Sequence, residues 1–379
     1  MSARVFSQEW HARRRDELIA QMQRKKIDCV ILSNSALPVN LYYFTGFDTT
    51  PHRTLTLAFF TVDGQSALLI PALRADQAAV GCAAIPRQVR YSDDDDISAV
   101  LRCIAVSLHL RDHARIAVDE SLEFFKLQIL QQAFPTASFC SAAALIDPLR
   151  MRKTPEELAI LRTAYRMTDE VYKAALTEVH PGMTELEFRH LLEEGYYQRG
   201  FAGGLLNGVA FGKNTAYTQW VSDSTAIAAG DQAYCDLGAV WNHYWTDTTR
   251  CFSLGAPSAA YQRLYNICLQ GEQLAEQAVH PGMTFDELHW ITGNFFRKEG
   301  VLQYWPVRLG HGIGLLANES PSVCNGNHDV IEEGMVITIE PTLHIPGHFG
   351  LRIENTIVVT SSGCESLSQL SLELTVIPL

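Results

Sequence analysis

Five side chains in the second half of the chain could do chemistry together: Asp236, Asp247, His311, Glu340 and Glu354. The two aspartates stand in AYCDLGAVWNHYWTDTTRCF (233–252). Aromatic and β-branched residues flank them, and Gly238 and Asn242 offer turn chemistry. The stretch is therefore expected to form two adjacent strands of a hairpin, each pointing one carboxylate into the same space. Carboxylates crowded in a core repel, and they are costly unless a proton or a cation lies between them. A metal ion is thus the first chemistry to test. In VITIE (336–340), alternation puts Val336, Thr338 and Glu340 on one face. In LRIEN (351–355), Arg352 and Glu354 share a face. His311 lies in GHGIG (310–314), between glycines that let the backbone approach closely. One imidazole with four carboxylates is too negative for one divalent ion and suits two, drawn from Mn, Co, Fe or Zn. Each element alone is weak, since a single acid on a strand is ordinarily an edge residue or a cap. The weight comes from the set.

A repeat is expected to position the set. VHPGMT occurs at 179–184 and again at 279–284, with Tyr165 matching Tyr265 and Ala175 matching Ala275. Each hexamer ends in a Thr with a Glu three residues on (Glu187, Glu287), the signature of a capped helix. Each of those helices closes on aromatics and a glycine, Gly200 and Gly300. The second half thus reads as two half-repeats, each helix, helix, sheet. Upstream, Thr154-Pro155-Glu156-Glu157 has the chemistry of a helix start, with a long helix to about residue 177. It marks a boundary between domains at 1–150 and 151–379. The first domain alternates helices (8–26, 72–82, 121–133) with strands (29–33, 40–47, 54–62, 66–70, 115–119), an α/β pattern. Asp93–Asp96 reads as a solvated loop or helix start.

Composition sets outer limits. A formal net charge of −12 argues against nucleic acid as a partner, because phosphate binding needs clustered Lys and Arg. Nine cysteines without a C-x-x-C spacing are expected to be buried reduced thiols. Cys235 beside Asp236 would face the other way by strand alternation. The N-terminal stretch has no apolar signal core, and no run approaches the ~18 apolar residues of a membrane span. A cytoplasmic protein with no membrane partner is expected.

The series DLGAVWNHYWTDTTR, GHGIGL, IEP and RIEN resembles the metallopeptidase family of prolidase, aminopeptidase P and methionine aminopeptidase, with creatinase as a metal-free cousin. The similarity covers the C-terminal half and extends weakly into the first domain through NLYYFTGF and DPLRMRKTPEEL. It implies an α+β chain: an N-terminal creatinase-like α/β domain and a C-terminal pseudo-twofold pita-bread domain. It implies Asp236, Asp247, His311, Glu340 and Glu354 as ligands of two divalent ions, manganese first, with Asp247 and Glu354 bridging. It further implies a homodimer, whose first domain closes over the site, and Xaa-Pro dipeptides hydrolysed by a dimetal-bridged hydroxide. Glu340 would move the proton.

The chain departs from that family where substrate is handled. Relatives usually read GHGIGLxxHExP, whereas here Asn318 stands at the second His. Gln219 stands where relatives carry a His after a G-x-N segment, and His344 replaces the Tyr of EPGxY. Asn and Gln donate hydrogen bonds but carry no proton. The His344–His348 pair in HIPGH reads as a loop feature. Arg352 is open to two roles, orienting a ligand acid or holding a substrate carboxylate. The tryptophans 220, 241 and 245 are either pocket walls or core. Three functions follow: a dimetal Xaa-Pro dipeptidase; a relative acting on a small non-peptide metabolite, as an amide or amidine hydrolase or a lyase; and a scaffold with a degenerate site, which the intact ligand set disfavours.

Overall fold

The computed structural model describes residues 5–35, 38–49, 54–82, 85, 87–203 and 208–379. It divides into two compact units, Met1–Arg150 and Met151–Leu379. The first unit opens with helix α1 (Gln8–Lys25), capped by the Ser7 hydroxyl, and continues through β1 (Cys29–Ser33), α2 (Val39–Thr45), β2 (Leu57–Thr61), β3 (Ser66–Pro71) and α3 (Ala75–Gly81). It then runs through β4 (Gln88–Tyr91), α4 (Ile97–Ser107), β5 (Arg115–Val118), α5 (Phe124–Ala133), β6 (Ser138–Ser141) and α6 (Ala143–Met151). The six strands form one mixed sheet in the order β4-β3-β2-β1-β5-β6. The acidic run is a helix start, with Asp96 capping α4.

NLYYFTGF is not a strand. Its aromatic residues favour strand locally, but helix α2 buries Leu41 to Thr45 together. Gly46 closes the helix at φ 71, a conformation open to glycine, and Arg15 donates to the Phe44 carbonyl at its end. Tertiary packing and a terminal cap outweigh side-chain propensity here.

The second unit is built twice. Its first half has α7 (Pro155–Leu176) and α8 (Glu185–Gln198), each opened by a full capping box, at Thr154/Glu157 and Thr184/Glu187. Strands β7 (Val209–Phe211), β8 (Gln232–Leu237), β9 (Val240–Trp241), β10 (Tyr244–Trp245) and β11 (Thr248–Leu254) follow. The second half has α9 (Ala259–Ala278) and α10 (Phe285–Lys298), with the Thr284/Glu287 box. After it come β12 (Gly310–Gly312), β13 (Glu319–Val323), β14 (Val336–Ile339), β15 (Thr342–Ile345), β16 (Phe349–Arg352), β17 (Asn355–Thr360), β18 (Gly363–Ser366) and β19 (Thr375–Ile377). The hexamers fold alike. Gly182 and Gly282 have φ of 86 and 97, and their amides donate to Ile227 and Ile331 carbonyls.

Each half carries the same device. Antiparallel β8 and β11 are separated by the small hairpin β9–β10, and antiparallel β14 and β17 by the hairpin β15–β16. The first hairpin turns on Asn242 and His243, both at positive φ. One acid stands in or just past the first long strand (Asp236, Glu340) and one just before the second (Asp247, Glu354). LRIEN is therefore not a single strand: it breaks between Arg352 and Asn355, and Glu354 sits in the break. Among the described residues, no helix is long and apolar enough to cross a membrane.

Candidate metal centre

The five side chains meet. Asp236, Asp247, His311, Glu340 and Glu354 are all buried. Asp247, His311 and Glu354 can each place one ligand atom within 4.8 Å of the others. His311 Nε2 lies 3.3 Å from Glu340 Oε1 and 3.7 Å from Asp247 Oδ2. Arg352 joins them from β16, with Nη1 2.7 Å from Asp236 Oδ2 and Nε 3.4 Å from Glu340 Oε2.

Each acid is held from behind. Asp236 Oδ2 accepts from Arg352 Nη1 and from the Tyr234 hydroxyl at 3.2 Å, while Oδ1 is buried with no partner among the described residues. Glu354 repeats the pattern: Oε2 accepts from Thr249 Oγ1 at 2.6 Å and Oε1 is buried without a partner. The Asp247 backbone is pinned by Tyr165, whose hydroxyl accepts from its amide, and by Thr356, which donates to its carbonyl. Arg250 donates to the carbonyls of Thr249 and Glu354 and to Asn355 Oδ1, fixing the break that presents Glu354. His311 is brought in by close backbone contact. A Cβ at Gly310 would lie 1.9 Å from the Thr338 carbonyl oxygen, and one at Gly312 would lie 2.1 Å from that of Ser320.

The electrostatics call for a cation. Burial, then the neighbouring Glu354, Asp236 and Glu340, push the Asp247 carboxyl well above the usual range. Burial, then Glu340 and Asp236, do the same to Glu354. Burial lowers His311 against the pull of Glu340, so the ring is neutral near pH 7. Its Nδ1 faces the Gly312 carbonyl at 3.0 Å, which can only accept, so Nδ1 carries the proton. The bare Nε2 then faces carboxyl groups of Asp247 and Glu340, an approach that needs a shared proton or a cation between them. With two orphaned carboxylate oxygens beside it, this donor set fits a pair of divalent ions.

The remaining sites fall in different places. Gln219 and Asn318 are exposed. Asn318 adjoins Glu319, whose carboxylate pairs with buried Lys153 at 3.0 Å. His344 is not in a loop: it is buried in β15, because the hairpin extends further than its Pro and Gly suggest, and only His348 lies exposed in the turn. Arg352 is engaged with Asp236 and Glu340. Trp220 and Trp241 pack against the two apolar clusters of the unit. Cys235 lies with Phe252 and Leu237 in one of those clusters. Tyr234, Thr249 and Arg250 were not singled out from sequence. Strand period two places Tyr234 beside Asp236, but nothing local marks a Thr or an Arg as a support.

The chain is 29% identical over 354 residues to an uncharacterised peptidase of Staphylococcus aureus (strain USA300), covering 93% of this chain and 97% of that one. Among solved structures it is similar to the dipeptidase PepE from Mycobacterium ulcerans (TM-score 0.91, 26% identity, 99% of this chain and 100% of that one). It is also similar to an Xaa-Pro dipeptidase from Bacillus anthracis (TM-score 0.88, 25% identity, 97% and 100%). Both accord with a pita-bread fold. Residues 14–152 match the creatinase/prolidase N-terminal domain and residues 159–361 match the metallopeptidase family M24. The chain therefore belongs to metallopeptidase family M24, a family of metal-dependent enzymes, and carries a creatinase/prolidase N-terminal domain.

Proposed function

We propose that the chain is a dipeptidase cleaving Xaa-Pro dipeptides at a dimetal centre. The observation that carries this is the buried cage of four carboxylates and one imidazole, in which Asp236 and Glu354 each keep one oxygen fixed and one without a partner among the described residues. Asp236, Asp247, His311, Glu340 and Glu354 would hold the ions. Bound there, two divalent ions would lower the pKa of a water to supply the nucleophile and would polarise the scissile carbonyl. Glu340 would be the group that accepts a proton from the attacking water and gives it to the departing proline nitrogen. Thr338 Oγ1, 3.4 Å from Glu340 Oε1, and Arg352 Nε on Oε2 hold its carboxylate in place. Arg352 and Tyr234 keep Asp236 from turning away. Manganese is the first metal to test. A reducing compartment suits the nine cysteines, all free thiols. The homodimer rests on likeness to relatives alone.

The resemblance favours a second reading, action on a small non-peptide metabolite: Gln219 and Asn318 stand where it implies two histidines, and an amide side chain does not exchange a proton. Turnover of Ala-Pro and Leu-Pro by Mn(II)-loaded protein decides between them. Hydrolysis supports the dipeptidase. No hydrolysis by a metal-loaded sample, with activity restored by Asn318→His and Gln219→His, rejects it.

A further inference from the structure

The side chains of Gln219 and Asn318 are exposed. His344 is not. It is 7% exposed, the same as Glu340, and neither ring nitrogen has a hydrogen-bond partner among the described residues. Its register explains where it lies. In the β15–β16 ladder Thr342 pairs with Arg352 and His344 with Gly350, so all four residues share one face. Arg352 reaches Asp236 and Glu340 from that face, and His344 stands one strand repeat, roughly 7 Å, along it. The residue opposite must be glycine: a Cβ at 350 would lie 2.4 Å from His344 Nδ1 and 2.3 Å from the Thr215 carbonyl oxygen. Gly350 also donates its amide to Thr215 Oγ1 at 3.0 Å, tying the hairpin to the one-turn helix Gly212–Ala216, three residues before Gln219. The ring is thus held in a slot where the backbone carbonyls of Thr215 and Ala216 face it without a hydrogen bond of good geometry, beside the guanidinium that borders the metal centre.

We propose that His344 is the substrate-contacting residue of this site, donating its ring N–H to the C-terminal carboxylate of the dipeptide. Arg352 spends Nη1 on Asp236 and Nε on Glu340. Its positive charge still reaches the ring and favours an anion there. Burial and that charge lower the His344 pKa to about 4, so the imidazole is neutral under working conditions and keeps one donor. The inference rests on the dipeptidase reading for the identity of the substrate.

The test compares Ala-Pro with Ala-Pro-amide on the Mn(II)-loaded full chain, and measures L-proline binding by calorimetry. His344→Phe is expected to raise KM for Ala-Pro and Kd for proline by about tenfold, a charge-assisted hydrogen bond's worth. The amide's kcat/KM should fall by much less, since its carbonyl accepts only an uncharged hydrogen bond, and the melting temperature and the metal content should stay unchanged. His344→Gln, which keeps a donor, should recover most of the binding. Equal losses on dipeptide and amide, or no change in proline affinity, would overturn the proposal. Absence of Xaa-Pro turnover by the wild type, with proline binding still lost in His344→Phe, would remove the dipeptidase reading and leave His344 as the carboxylate contact.

Discussion

Replacing Arg352 by Met tests the charge balance of the cage most sharply. The guanidinium and Asp236 form a buried pair at 2.7 Å, their side chains 10% and 1% exposed. Arg352 is also the cation shared with Glu340. Removing one partner of a buried pair leaves an uncompensated carboxylate, at a cost of about 3–5 kcal/mol. At ~2–4 °C per kcal/mol for a unit of this size, the melting temperature in EDTA should fall by about 6–20 °C. Bound cations would neutralise the same carboxylates, so with saturating Mn(II) the fall should shrink to less than about half. Differential scanning calorimetry of wild type and Arg352→Met, each with EDTA and with Mn(II), gives the four numbers required. Equal losses in both conditions would refute the reasoning, because they would show that the guanidinium and the metal do not answer the same charge.

Other consequences are local. Thr249→Val removes the 2.6 Å donor to Glu354 and should weaken metal binding by about 10- to 100-fold in a competition titration, with the fold intact by circular dichroism. Gly310→Ala would drive a Cβ against the Thr338 carbonyl, so soluble protein should either be lost or lack His311-dependent metal binding. Thr154→Ala breaks the capping box of α7 and should cost about 1 kcal/mol in a urea melt without changing metal content. In the first unit, burial raises the buried Asp119 to about 6, above its unfolded value. The folded state then binds the extra proton, so stability falls as pH rises from about 4 to 6, by about 3 kcal/mol. Hydrogen exchange of β1 and β5 amides across that range should show the decline, and a flat profile would contradict it.

How much of this was legible in the sequence differs by residue. Asp236 and Asp247, the repeat and the capping boxes were readable because their signals are local: alternation, turn residues and a Thr with Glu three positions on. The hairpin excursions were only half readable. Asn242 announced the turn in the first, but HIPGH read as a loop because Pro and Gly hide a strand that continues to Ile345. NLYYFTGF misled because its aromatics favour strand while the cap at Gly46 and burial of all five residues decide for helix. The supports of the site were not readable at all. Arg250, Thr249 and Tyr165 act on partners 82 to 105 residues away, or through neighbouring backbone, and no periodicity carries such information. Gly350 is the same kind of case: its meaning is the space it leaves for His344.

The most direct test is a count of metal. Purified protein, loaded with Mn(II) and freed of excess, is measured by inductively coupled plasma spectrometry beside the double variant Asp247→Asn, Glu354→Gln. Two ions per wild-type chain and none in the folded variant are expected. A folded wild type that holds no ion, or a variant that keeps both, would contradict the cage described here.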